Sequence, residues 1–302
     1  MSVTVRASAK INLLLGVGAP RPDGFHTLVT VYQAVSLYDD VTATESDALT
    51  VATEVAAYID PSHLPEPGHN IVDRAAAALA ALHGRPVRAD VRVDKTIPIA
   101  GGLAGGSADG AAALVALDRL HDLRTGDQDL LELAAGLGSD VPFALVGGSA
   151  LGEGHGEVVT PIDDRGSWWW VVVPSEEGLA TPAVYRHYDE LRPDAPVVPG
   201  PPDAVVAALA SGDVRRLAAA LHNDLEQAAC ELRPELAQLI AEGVDAGALR
   251  GIVSGSGPTC VFLCDDAAHA RAVAGTLQTA DHRRVVLVAH GPVAGAHVVE
   301  RE

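Results

Sequence analysis

Lysine is nearly missing from this chain: of 21 basic residues only Lys10 and Lys95 are lysine, and the rest are arginine. The bias makes the two survivors conspicuous. Lys10 falls in the first strand-like segment and Lys95 three residues before Pro98, although a lysine at a strand end is often simply solvated. Long apolar runs are absent too. No stretch reaches the ~18 uninterrupted apolar residues of a membrane span, and Met1-Ser2-Val3-Thr4-Val5-Arg6 has no apolar signal core, so a cytoplasmic chain without a membrane partner is expected. Cysteine is scarce and odd in number, which excludes a disulfide framework and fits a reducing compartment. Cys260 and Cys264 share one face of an expected strand and have no further ligands at metal-binding spacing, so they read as core. Positive charge is in deficit. A formal charge of −19 opposes nucleic acid and anionic membranes, and a phosphate ligand would need local help.

Both common phosphate signatures are missing as well. The run Pro98-Ile99-Ala100-Gly101-Gly102-Leu103-Ala104-Gly105-Gly106-Ser107-Ala108-Asp109 nearly satisfies a P-loop, but Ser107 stands where that motif needs lysine, and no G-x-G-x-x-G occurs. What is present is a glycine-rich loop opening into the helical pattern 110–120. Four glycines let backbone N–H groups approach an anion, and the positive end of the helix favours its charge. Ser107 is the expected N-cap. A glycine hinge used for tight packing is the alternative.

With 302 residues and 48% apolar content, two domains sharing a cleft are the default, divided near residue 160 into units 1–160 and 161–302. Residues 3–17 and 27–43 alternate as long strands around the turn Arg21-Pro22-Asp23-Gly24, an antiparallel beginning. Asn70 can cap a helix over 71–83, and Val87–Val93 alternates as a strand into Lys95. A helix over 127–137 ends at Gly138, before the turn Ser139-Asp140-Val141-Pro142. Residues 143–159 resemble a hairpin, and Trp168–Val173 a buried strand in preference to a tryptophan stacking platform. Thr181-Pro182 starts a helix through Leu191, with Thr181 as N-cap. The proline-rich stretch 192–202 is a loop. Helical patterns then span 203–210, 214–230, 235–246 and 267–279, with strands over 251–263, 285–289 and 296–299. This second half is α+β.

Among acids, Asp140 stands out because a turn holds it in place, as a base for a substrate hydroxyl in phosphoryl transfer must be held. A turn aspartate more often just bonds its own backbone. Ser254-Gly255-Ser256-Gly257-Pro258-Thr259 is a further glycine cluster that can line the same cleft or form an ordinary turn.

Ala9-Lys10-Ile11-Asn12-Leu13, the Pro98–Ala108 run and Gly255-Ser256-Gly257-Pro258 resemble the three ordered motifs of the kinase superfamily that includes galactokinase, homoserine kinase, mevalonate kinase and phosphomevalonate kinase. Arg21-Pro22-Asp23-Gly24-Phe25-His26-Thr27-Leu28 and Leu137-Gly138-Ser139-Asp140-Val141-Pro142-Phe143 are similar to the branch that phosphorylates a cytidylylated alcohol of the non-mevalonate isoprenoid pathway. The resemblance covers nearly the whole chain. It implies an α+β fold with an N-terminal ribosomal-protein-S5-like domain and a C-terminal ferredoxin-like domain, the site between them. It also implies ATP-dependent phosphorylation of the 2-hydroxyl of cytidylylated methylerythritol, with Mg2+, and no obligate protein partner is evident.

Residue by residue, the resemblance makes Asp140 the base and Lys10 its partner. Asn70, the Lys95 backbone, Pro98, Gly101, Gly102, Leu103, Ala104, Gly105, Gly106, Ser107 and Ala108 become the ATP contacts. Asn12 holds the acceptor, and His26 reads the cytosine with Phe25 on one face and Tyr185 opposite. Phe25 stands where tyrosine is frequent in the family; the stacking face is kept and a hydroxyl lost. Ser107 is the candidate Mg2+ ligand, whereas Asp109 in the first helical turn reads as a dipole partner. Two alternatives are a kinase for another small alcohol and a noncatalytic nucleotide- or RNA-binding module; the Phe25-His26 pair speaks against the first, the net charge against RNA.

Overall fold

The computed structural model describes residues 1–66, 68–99, 101–175 and 177–301; Ala100, inside the glycine run, lies outside the described residues. The chain begins with two strands of unusual length, β1 (Ser2–Pro20) and β2 (His26–Glu45). They pair antiparallel along nearly their whole length, with register shifts between Ser8 and Ala9 and between Asn12 and Leu14. These irregularities bracket the segment carrying Lys10 and Asn12, and a bulge of this kind bends a strand and re-aims its side chains. Next come β3 (Thr50–Val55), α1 (Ile71–His83), β4 (Ala89–Lys95), α2 (Gly105–Leu120), α3 (Asp127–Leu137), α4 (Val141–Val146), β5 (Ser149–Gly154) and β6 (Val158–Pro161). The remainder comprises β7 (Trp168–Val173), α5 (Thr181–Leu191), α6 (Asp203–Ser211), α7 (Val214–Ala220), β8 (His222–Asn223), α8 (Glu226–Leu232), α9 (Pro234–Asp245), β9 (Arg250–Val253), β10 (Cys260–Cys264), α10 (Ala267–Ala280), β11 (Leu287–Gly291) and β12 (His297–Arg301).

Two sheets result. The larger has the order β12-β1-β2-β4-β3, with β5 added on β2, β6 on β5, and the short β8 parallel to β1; the smaller has the order β11-β7-β10-β9. The architecture is α+β, as expected, and the last strand returns to pair with β1 at Val3–Arg6. Alternating residues of β1 and β4 bury Val3, Val5, Ala7, Val91 and Val93 against the small-residue face of α2, including Ala108, Ala111, Ala112 and Leu114. The smaller sheet buries Val171, Val173, Cys260, Phe262 and Cys264 against helices α5, α8, α9 and α10. Burial pushes the Cys264 thiol up to about 12, and Cys260 also rises for the same reason, as inert core thiols should. No helix among the described residues is long and apolar enough to cross a membrane.

Several local expectations require correction. Helix α2 begins at Gly105, and its N-cap is Ala104 at φ 57°, so Ser107 lies within the first turn instead of capping it. The 139–142 turn leads into α4, with Asp140 immediately preceding it. That helix takes the start of the expected 143–159 hairpin, leaving β5 and β6. The single helix expected over 214–230 is α7 and α8, interrupted where His222 and Asn223 pair with Leu14 and Leu15. The strand expected over 251–263 is β9 and β10, parted by the glycine cluster. Ala180, not Thr181, is the N-cap of α5.

Candidate active site

The glycine loop after β4 is clasped from behind by the cluster at 254–259. Gly102 adopts φ +77°, and a Cβ there would fall 2.4 Å from the Ser254 carbonyl oxygen. Ser254 Oγ donates to Gly102 O at 3.3 Å, Thr259 N donates to Gly101 O at 3.3 Å, and Lys10 N donates to Leu103 O at 3.1 Å. Loop, third motif and first strand are thus tied together. A Cβ on Gly106 would meet nothing within 4 Å, so the first turn of α2 faces open space, with its N–H groups unclaimed by the helix. Leu103 and Ala108 are fully buried, and the Ala108 N–H is bonded to Ala104 O.

Lys95 is not solvated. Its ammonium donates to Asp39 Oδ2 at 2.6 Å and to Asp109 Oδ2 at 2.7 Å, all three side chains being buried. Burial alone would lower the Lys95 pKa, but the two carboxylates outweigh it and hold it above the ordinary value. Asp109 is held well above the carboxylate range by its burial, against the pull of Lys95. Asp39 also accepts from the N–H groups of Thr96 (2.6 Å) and Ile97 (2.8 Å), which fixes the entry to the glycine loop. Asn70, at the cleft wall, caps α1 in a reciprocal box with Asp73.

The buried Lys10 Nζ lies 3.7 Å from Asp140 Oδ2 and donates to Asn12 Oδ1 at 2.8 Å. Asn12 Nδ2 in turn donates to Thr30 Oγ1 at 2.8 Å, and Thr30 to Leu14 O at 2.7 Å. Asp140 Oδ1 accepts from the Tyr32 hydroxyl at 3.0 Å. Burial pushes the Tyr32 phenol well up, and the adjacent Asp140 charge adds to this, so the hydroxyl is a permanent donor. Gly255 packs beside Lys10 and Asn12 at φ +59°, a conformation that favours glycine.

A third group lies beyond Asp140. His26 is buried, its Nε2 is 2.9 Å from Asp189 Oδ1, and its ring centroid is 4.9 Å from that of Tyr185. Phe25 is 59% exposed and stacks at 4.9 Å on His155. Burial raises the Tyr185 phenol, with the Asp140 charge adding to it. Thr181 Oγ1 and Ser256 Oγ, 2.8 Å apart, bridge α5 to the third motif.

One cleft of about 670 Å³ brings together Lys10, Asn12, Asn70, Pro98, the 101–107 glycines, Asp140 and Tyr185. An adjoining cavity of about 410 Å³ is lined by Phe25, His26, His155, Tyr185 and Asp189. Sequence reasoning missed Tyr32, Asp39, His155 and Asp189, and passed over Asp109. Asp189 alone had a local signal, standing four residues after Tyr185 on the same helical face.

A glycine loop at a helix start and a lysine–aspartate pair in one cleft, with an aromatic-walled cavity adjoining it, are the parts of a small-molecule kinase. Residues 70–148 match the GHMP kinases N terminal domain, and residues 205–282 the GHMP kinases C terminal domain. The chain is 64% identical to the 4-diphosphocytidyl-2-C-methyl-D-erythritol kinase of Nocardioides sp., over 98% of this chain and 99% of that one. It is 49% identical to the protein of the same name from Mycobacterium bovis, over 99% and 93%. A crystal structure of 4-(cytidine 5'-diphospho)-2C-methyl-D-erythritol kinase superposes with a TM-score of 0.77 at 31% identity, covering 96% of this chain and all of that one. Homoserine kinase from Cytophaga hutchinsonii shares the fold, with a TM-score of 0.74 at 19% identity over 99% and 97%. The chain belongs to the GHMP kinases, in the family of 4-diphosphocytidyl-2-C-methyl-D-erythritol kinases.

Proposed function

We propose that the cleft transfers the γ-phosphoryl group of ATP to the 2-hydroxyl of 4-diphosphocytidyl-2-C-methyl-D-erythritol, with unit 1–160 supplying the ATP loop and unit 161–302 closing the cleft. The carrying observation is the Lys10–Asp140 pair, 3.7 Å apart, between the glycine cradle and the His26–Tyr185 slot. Asp140 takes the acceptor proton as the oxygen attacks phosphorus and the bond to ADP breaks. Lys10, fixed by Asn12, orients that hydroxyl and offsets charge on the equatorial phosphoryl oxygens. Asn12 also holds the acceptor. Tyr32 keeps one Asp140 oxygen engaged and leaves the other beside Lys10.

The N–H groups of Gly105, Gly106 and Ser107 meet the phosphates, with Gly101, Gly102, Leu103, Ala104 and Ala108 shaping the turn and Pro98 its wall. Asn70 and the Lys95 backbone face the adenine. His26 reads the cytosine edge, between Phe25 and Tyr185. Oxygen donors suited to a hard cation lie at the start of α2: Ser107 offers its hydroxyl, and Asp109 Oδ1 is buried with no hydrogen-bond partner. Ser107 would hold Mg2+, which supplies charge neutralisation on the phosphates. A coupled ADP-release assay should show turnover with the cytidylylated methylerythritol and none with homoserine or mevalonate; turnover with either of those would overturn the substrate reading.

A further inference from the structure

We propose that Asp189 is a positioning residue that fixes the tautomer of His26 and thereby makes the slot select cytosine over uracil. This rests on the reading of His26 as the base reader. His26 Nε2 lies 2.9 Å from Asp189 Oδ1, and the imidazole side chain is only 7% exposed. A carboxylate only accepts, so in the neutral ring the proton sits on Nε2, and Nδ1 carries a lone pair. Among the described residues Nδ1 has no hydrogen-bond partner, while the ring lines the 410 Å³ cavity. Tyr185 at 4.9 Å and Tyr188 at 6.4 Å flank the imidazole and restrict its rotation.

A fixed acceptor at Nδ1 meets the exocyclic N4 amino group of cytosine, which donates. The same atom meets O4 of uracil as acceptor against acceptor, because the two bases differ at this position in the sign of the hydrogen bond. Discrimination against the wrong base therefore comes from an unpaired polar contact in a buried site, where it is most costly. Asp189 lines the same cavity and is assigned to act through His26. It sits on α5, one turn beyond Tyr185, so the helix that supplies the stacking wall also sets the polarity of the reader.

The test has two independent arms. In the uniformly 15N-labelled free protein, with the His26 resonances assigned by their loss in His26→Gln, the ring should show a protonated Nε2 and a pyridine-type Nδ1. Asp189→Asn, which can donate its amide N–H to Nε2, should move the proton to Nδ1. In steady-state kinetics, the ratio of kcat/KM for the cytidylylated over the uridylylated acceptor should fall at least about tenfold in Asp189→Asn and be held within about threefold of wild type by Asp189→Glu, with KM for ATP unchanged in both. A wild-type ring protonated at Nδ1, or an unchanged base preference in Asp189→Asn, would overturn the proposal while leaving His26 as reader. An unchanged acceptor KM in His26→Ala would overturn the base-reader reading itself, whatever the tautomer measured.

Discussion

Asp140 is gripped by Tyr32 on one oxygen and faces Lys10 with the other, so substitutions around it should separate chemistry from binding. Asp140→Asn keeps the shape and loses the proton acceptor; kcat should fall by about 10²- to 10⁴-fold, with the dissociation constant of ATP, measured by calorimetry, unchanged. Tyr32→Phe removes one donor and leaves the acid, and should cost no more than about tenfold in kcat. A titrating pair lies outside the cleft. His222 donates to Asp224 Oδ1 at 2.8 Å, which raises the imidazole pKa. Burial pushes Asp224 up, but the bonds from His222 and from Val17 N–H outweigh it, and the net shift is downward. The raised histidine contributes fully below its unfolded value near ~6.5 and loses that contribution as pH rises through its folded value. The lowered aspartate contributes above ~4 and loses it as pH falls through its folded value. The pair therefore stabilises most between about pH 4 and 6.5, by under about 1 kcal/mol because His222 is more than half exposed. In urea titrations across pH, His222→Ala should flatten this part of the profile.

At the scale of elements, α1 shows how one residue serves fold and ligand together. Asn70 accepts from Val72 N and its own N–H is bonded by Asp73. Asn70→Ala should lower stability by about 1 kcal/mol in denaturant unfolding, and Asn70→Asp, which still caps, should restore stability but not the KM for ATP if the amide contacts adenine. Gly102→Ala must relieve the 2.4 Å approach to Ser254 O at a positive φ. It should loosen the clasp and raise KM for ATP at least about tenfold. Caps and periodicity made α1 and α3 legible to the residue, and the continuous apolar run from Trp168 to Val173 did the same for β7. The glycine run was legible as a loop opening into a helix for the same reason, since its geometry is local. Bulges, the β8 interruption and the start of α2 were not legible, because they depend on what packs behind: Ala104 enters the left-handed region only where the 254–259 cluster clasps the loop. Among residues of the cleft, the meeting of Lys10 with Asp140 was legible through motifs. Tyr32 and Asp39 were not, since each meets its partner more than fifty residues away and carries no pattern of its own.

In the whole molecule β1 is the axis: it pairs with β2, β8 and β12, carries Lys10 and Asn12, and donates to the glycine loop. Removing residues 297–302 would strip the β12 partner from Val3–Arg6 and should lower the unfolding midpoint, with the KM values of the remaining folded fraction nearly unchanged. The two lysines have a further consequence. Lys10 and Lys95 are 7% and 5% exposed, so the outer surface of this protein carries no ε-amine. To an acylating reagent the folded chain therefore offers no readily reached ε-amine. Acylation of Lys10, which lines the cleft, then reports access to it, and its rate becomes a gauge of occupancy that needs no engineered label.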